Sequence, residues 1–155
     1  MPISDVEIHE LTEQPTAVIR TRITMQETQR VPELLQTTYE AVQRAGLQPS
    51  GPPILRTLAM EGDGMEIEIG WPVATPFTAA DDLVVASSLP GGPAATLTYL
   101  GPYEGIAPAY EALQTWCAEH GREVAGPPWE VYFTDPQDEP DPARWRTDVY
   151  FPVRS

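Results

Sequence analysis

Lysine is absent from this chain, and all nine of its basic residues are arginines. Against them stand 23 acids, for a formal net charge of −14. A field of that sign repels phosphate backbones, which excludes direct nucleic-acid binding, while it attracts cationic or weakly basic small molecules. Cysteine is nearly missing as well. Cys117 alone cannot build a disulfide framework, and its place on a helix-period stretch with Leu113 and Trp116 marks it as a small core residue. His9 and His120 lie far apart with no metal-ligand spacing around them, so neither a metal nor a cofactor is expected. No apolar run is long enough to span a bilayer, and the acid-bearing stretch Met1 to Glu10 lacks the basic-then-apolar order of a secretory leader. The expectation is a cytoplasmic protein without membrane contact. There is no G-x-S-x-G elbow and no Gly-rich phosphate loop, and prolines interrupt the acids from Asp135 to Asp141 in a way no calcium loop allows.

What the chain does have is internal likeness. Gly46-Leu47-Gln48-Pro49-Ser50-Gly51-Pro52-Pro53 and Gly121-Arg122-Glu123-Val124-Ala125-Gly126-Pro127-Pro128 share the frame G-x-x-x-x-G-P-P at an offset of 75. Trp71-Pro72-Val73 and Phe151-Pro152-Val153 repeat an aromatic-Pro-Val close, now at an offset of 80. The 155 residues fit a single domain, 1–155, holding repeats of about 6–75 and 83–153 joined by a linker at 76–82. Two copies of one unit are expected to meet at a pseudo-twofold axis, where a groove would suit a ligand.

Each repeat reads strand, strand, helix, strand, strand. Val6 to Glu10 and Ala17 to Thr24 are strand-like, the second rich in β-branched residues. Val31, Leu34, Leu35, Thr38, Val42 and Ala45 fall on one helical stripe that Gly46 stops. Ile54 to Met60 and Met65 to Trp71 are strands joined by a glycine turn. In the second repeat the strands are Leu83 to Leu89, Ala94 to Leu100, Trp129 to Thr134 and Trp145 to Val153. The helix between them carries Ile106, Ala109, Tyr110, Leu113, Trp116 and Cys117 on one face. Nothing alternates as β-α-β, so the expected fold class is α+β: an antiparallel sheet with two helices on one face.

Glu130 stands out, flanked by Trp129 and Val131 in a strand. Period-2 reading places Trp129, Val131 and Phe133 toward the helices, and Glu130, Tyr132 and Thr134 on the opposite face. A carboxylate in apolar surroundings is costly unless paired, holds its proton more tightly, and suits either a cationic ligand or general-acid chemistry. Aromatic rings are the second clue. Tyr110, Trp116 and Trp129 belong to the core by periodicity, whereas Tyr103, Tyr132 and Tyr150 are placed to line a groove. Rings around a carboxylate make a site for flat, lipophilic cations.

The duplicated unit, Gly101-x-Tyr103 ahead of the second helix, the segment Gly126-Pro127-Pro128-Trp129-Glu130-Val131-Tyr132 and the close Thr147-Asp148-Val149-Tyr150-Phe151-Pro152-Val153 together resemble the GyrI-like small-molecule-binding family. The same domain serves as the effector-binding part of AraC- and MerR-type bacterial transcription activators. The resemblance runs from about Val6 to Val153, with the W-E-x-Y segment and the terminal P-V strand its most specific parts. It implies a cleft holding planar, lipophilic, often cationic compounds, with Glu130 at its floor and Tyr132, Tyr103, Tyr150 and Trp71 as ligand-binding rings. It also implies a stand-alone, non-enzymatic binding protein, because too few residues precede Val6 or follow Val153 for a helix-turn-helix. A protein partner, gyrase or a regulator, would then be separate. Some members hydrolyse cyclopropane-bearing alkylating natural products with a glutamate and a tyrosine, here Glu130 and Tyr103, and others inhibit DNA gyrase. The first repeat has Leu55 and Arg56 at the places of Glu130 and Val131, so any site is asymmetric.

Overall fold

The computed structural model describes residues 3–78 and 83–154, so residues 79–82 of the expected linker lie outside the described residues. In chain order the elements are β1 (Glu7–Leu11), β2 (Gln14–Thr24), α1 (Val31–Arg44), β3 (Ile54–Glu61), β4 (Gly64–Pro72), β5 (Val85–Leu89), β6 (Gly92–Leu100), α2 (Ala107–Glu119), β7 (Trp129–Tyr132) and β8 (Arg146–Pro152). Together they make a mixed α/β fold with antiparallel strands and two helices.

The chain divides into two compact units, one of residues 13–90 and one of 3–12 with 91–154. Within 13–90 the strands run β3-β4-β2-β5, and within the other unit they run β1-β6-β8-β7. Consequently β1 does not pair with its sequence neighbour β2. It pairs with β6, Ile8 opposite Ala95, while β5 pairs with β2, Ala86 opposite Ala17.

Residue chemistry explains both helices. Each has a proline in its first turn, where no intrahelical donor is needed. Each stops at a glycine with positive φ, Gly46 at 78° and Gly121 at 63°. The stops use matching bonds: Leu47 N–H to the Val42 carbonyl at 3.1 Å, and Arg122 N–H to the Cys117 carbonyl at 2.8 Å. Beyond them, Ser50 N–H reaches the Pro72 carbonyl at 2.9 Å and Ala125 N–H the Pro152 carbonyl at 2.7 Å. The shared G-x-x-x-x-G-P-P frame thus produces the same helix stop and strand return in each unit.

In the 13–90 unit, α1 lays Ala41, Val42 and Thr38 on β2 and β4. Thr38 is buried without penalty, because its hydroxyl donates to the carbonyls of Leu34 and Leu35. In the other unit, Ala109, Leu113 and Cys117 of α2 pack on Ala95, Leu97 and Tyr99 of β6 and on Val149 and Phe151 of β8. Burial of each such aliphatic side chain contributes about 1.5–3 kcal/mol.

Candidate functional site

In β7, Glu130 lies opposite Val149 and Tyr132 opposite Thr147. Directly opposed residues of an antiparallel pair share a face. Val149 belongs to the core beneath α2, so Glu130 and Tyr132 point toward the helix. The period-2 expectation therefore has the wrong parity: Trp129 and Val131 face away from α2, opposite Tyr150 and Asp148. Hydrophobicity misled, because Trp129 is only 3% exposed although it lies on the face away from α2.

Three side chains converge on that helix side. Tyr110 of α2 donates its hydroxyl to Oε2 of Glu130. Tyr132 donates to Oε1 at 2.9 Å. The Tyr110 ring is braced by Phe151, with centroids 5.8 Å apart. Tyr103 begins a single 3-10 turn, Tyr103–Gly105, that leads into α2. Its ring meets Tyr132 edge-on at 5.4 Å and lies against Trp145 at 5.2 Å. Trp145 is held by its indole N–H, which donates to the Glu139 carbonyl at 2.8 Å. The proline-interrupted loop before β8 thereby serves as a support for this ring.

The turn carrying Tyr103 is fixed from below. Tyr99 donates its hydroxyl to the Pro102 carbonyl at 2.7 Å. A Cβ at Gly101 would lie 2.6 Å from that hydroxyl, and one at Gly105 would lie 2.5 Å away. Two glycines therefore let the backbone close around one phenol.

Burial raises the Glu130 carboxyl above the usual carboxylate range, against the opposing pull of its two phenol hydrogen bonds. Tyr110 and Tyr132 are both raised, first by burial and then by the Glu130 charge. Tyr103, 36% exposed, is raised by burial and then by Asp135 and Glu130. Two acids that are buried contrast with this. Glu68 accepts from Arg20 Nε at 3.0 Å and from Ser87, and Asp148 accepts from Arg146 at 3.1 and 3.0 Å and from Thr98 at 2.8 Å. Those acids meet a guanidinium, whereas phenols are what Glu130 meets. One further polar group is unusual: the Thr147 hydroxyl is buried with no hydrogen-bond partner among the described residues. Such a group costs about 1–3 kcal/mol.

Of the residues singled out in the sequence, Glu130, Tyr132 and Tyr103 come together. Tyr150 lies on the other face of the sheet and stacks on Trp129 at 5.4 Å with planes 6° apart. Trp71 belongs to the 13–90 unit, where it donates to the Leu35 carbonyl at 2.9 Å and meets Tyr39 edge-on. Sequence reasoning missed Tyr110 and Trp145 as members. Tyr110 does pack against the core as its stripe position required, yet a phenol in an apolar stripe needs a partner for its hydroxyl. That need was the available signal. A separate concavity of about 500 Å3 lies between Ser4–Val6 and α2, lined by Trp116 and Glu119 among others. None of its lining residues belongs to the Glu130 cluster. Among the described residues no group of His, Cys, Asp and Glu could hold a metal, and no helix is long and apolar enough to cross a membrane.

The profile of the GyrI-like small molecule binding domain matches residues 4–154. The chain belongs to that family. Among solved structures, the EcmrR C-terminal domain superposes with a TM-score of 0.85 at 21% identity, covering 97% of this chain and 98% of that one. EcmrR in its DNA complex gives 0.86 at 22% identity, with all of this chain spanning 59% of the longer one. SAV2435 bound to tetraphenylphosphonium gives 0.58 at 14% identity over 98% and 95% of the two chains. A hydrolase from Listeria innocua gives 0.64 at 13% identity over 99% and 94%. At these identities the likeness is one of fold. Comparison with curated proteins finds no match.

Proposed function

We propose that this GyrI-like domain binds planar, lipophilic, positively charged small molecules at the Glu130 cluster. The observation that carries this reading is a part-buried carboxylate whose partners are two phenols, with Tyr103 and Trp145 rings beside them. Phenol donors orient the carboxylate but leave its charge uncompensated, so a cation gains the attraction that an arginine takes up elsewhere in the fold. Desolvating one ion pair gives little net energy, and most of the affinity comes from burying rings. Micromolar binding, on the order of −8 kcal/mol, is expected. Titration of tetraphenylphosphonium and a cationic aromatic dye into the parent and Glu130→Gln tests this. Equal affinity for both proteins would rule out the assignment.

A second reading uses the same residues chemically. A carboxyl that holds its proton tightly, with Tyr110 and Tyr132 hydroxyls at its two oxygens, favours assisted addition of water to a strained cyclopropane. Glu130 would handle the proton, and a tyrosine of the cluster would donate to the carbonyl that takes up the electrons. Incubation with such an alkylating compound and mass spectrometry for the gain of one water separates hydrolysis from binding.

A further inference from the structure

The buried hydroxyl of Thr147 has no hydrogen-bond partner among the described residues, and its surroundings say what kind of partner would suit it. Thr147 lies between Tyr132 of β7 and Tyr99 of β6 in one cross-strand row on the α2 side of the sheet. The two flanking rings are tied to consecutive residues of one turn: Tyr99 bonds the Pro102 carbonyl, and Tyr132 carries the Tyr103 ring. Pro102 and Tyr103 therefore each contact one of the two residues that flank Thr147 in the row. The Glu130–Val149 row runs alongside, roughly 7 Å along the strand.

The other unit supplies an internal control. There Thr57 lies opposite Ile67 and Leu55 opposite Ile69, in the same registers as Tyr132 opposite Thr147 and Glu130 opposite Val149. Leu35 of α1 holds the place of Tyr110, at the 75-residue offset that relates the two helix stops. Where one unit has Leu35, Leu55 and Ile67, the other has Tyr110, Glu130 and Thr147. Ile67 shows that a β-branched apolar side chain fills this position in the fold, so packing alone gives no reason for the hydroxyl.

We propose that the Thr147 hydroxyl is a second polar contact of the Glu130 site, donating to an acceptor oxygen of a bound cation once the Pro102–Tyr103 turn lifts. This rests on Glu130 being the cation-binding residue. The ligand class is thereby narrowed to lipophilic aromatic cations that carry a carbonyl or similar acceptor on a ring.

The test compares tetraphenylphosphonium, which has no acceptor, with the 2-, 3- and 4-acetylphenyl triphenylphosphonium isomers. Each is titrated calorimetrically into the parent, Thr147→Val, Thr147→Ser and Glu130→Gln. At least one acetyl isomer should bind the parent more tightly than tetraphenylphosphonium does. Thr147→Val should weaken that isomer about 5- to 20-fold, in keeping with one lost hydrogen bond, and leave tetraphenylphosphonium unchanged. Thr147→Ser, which keeps the hydroxyl, should retain the preference, and the Val variant should melt no lower than the parent. If no isomer is preferred, or Thr147→Val weakens all four cations alike, the Thr147 contact is overturned while the Glu130 reading stands. If Glu130→Gln leaves tetraphenylphosphonium affinity unchanged, the Glu130 reading itself fails.

Discussion

Tyr132 donates its hydroxyl at 2.9 Å to Glu130, two residues away on the same strand and the same face. With Tyr110 arriving from α2, each oxygen of the carboxylate accepts a hydrogen bond from a phenol. Burial outweighs those two bonds and leaves the carboxyl with a raised proton affinity, which has measurable consequences.

Folded Glu130 binds its proton more tightly than an ordinary glutamate, so folding is favoured while the group is protonated. That contribution is fully present below the unfolded value and is lost as pH rises through the raised folded value. Glu130→Gln, which keeps the neutral shape, should raise Tm at about pH 8 and leave it nearly unchanged at about pH 4. Cation affinity should behave in the opposite sense, falling as pH drops through the folded value. Thermal melts and dye titrations across this range check both, and a Gln variant less stable than the parent at every pH would contradict the burial argument.

Tyr110→Phe removes one of the two donors that pull the Glu130 carboxyl down. Its proton affinity should therefore rise further, read from the Glu130 side-chain carbonyl shift by NMR. The lost hydrogen bond to a charged group should cost roughly 1.5–3 kcal/mol in urea unfolding, with no added packing loss because the ring still packs on Phe151.

Gly105→Ala would place a Cβ 2.5 Å from the Tyr99 hydroxyl but 3.7 Å from the ring carbon that bears it. Overpacking of this kind costs about 1–3 kcal/mol. Tyr99→Phe removes the obstacle, so the double variant should be more stable than the sum of the single costs allows. At Gly101 that ring carbon is itself only 2.9 Å away and φ is +150°, so the same rescue should fail there. A double-mutant cycle in urea measures both.

Gly70 of β4 packs so closely on β2 that a Cβ would lie 2.0 Å from the Ala17 carbonyl oxygen. Backbone atoms cannot turn aside as a side chain can. Gly70→Ala should cost more than about 3 kcal/mol or abolish folding, as judged by circular dichroism and soluble yield.

Much of this was legible from residue order. The stripes ending at Gly46 and Gly121 fixed both helices, and alternation in Met65 to Trp71 fixed a strand. Glu130 was conspicuous because a carboxylate between Trp129 and Val131 is costly in apolar surroundings unless it is paired or hydrogen-bonded. Its companions were harder to read. Tyr110 is twenty positions away on a helix, and nothing local ties it to β7. Tyr150 read as a groove residue because alternation separates it from the core positions Val149 and Phe151, yet that same alternation sends it to the face opposite Glu130.

Chain order alone determined the element types and the antiparallel mixture with two helices, because these depend on local periodicity and on glycine and proline geometry. Tertiary structure decided which strands pair and which face of β7 meets α2. Period-2 spacing says that Glu130 and Tyr132 share a side, but both sides of this strand bear large rings, so hydrophobicity carries no sign. The register with β8 supplies it, by setting Glu130 beside Val149 beneath the helix.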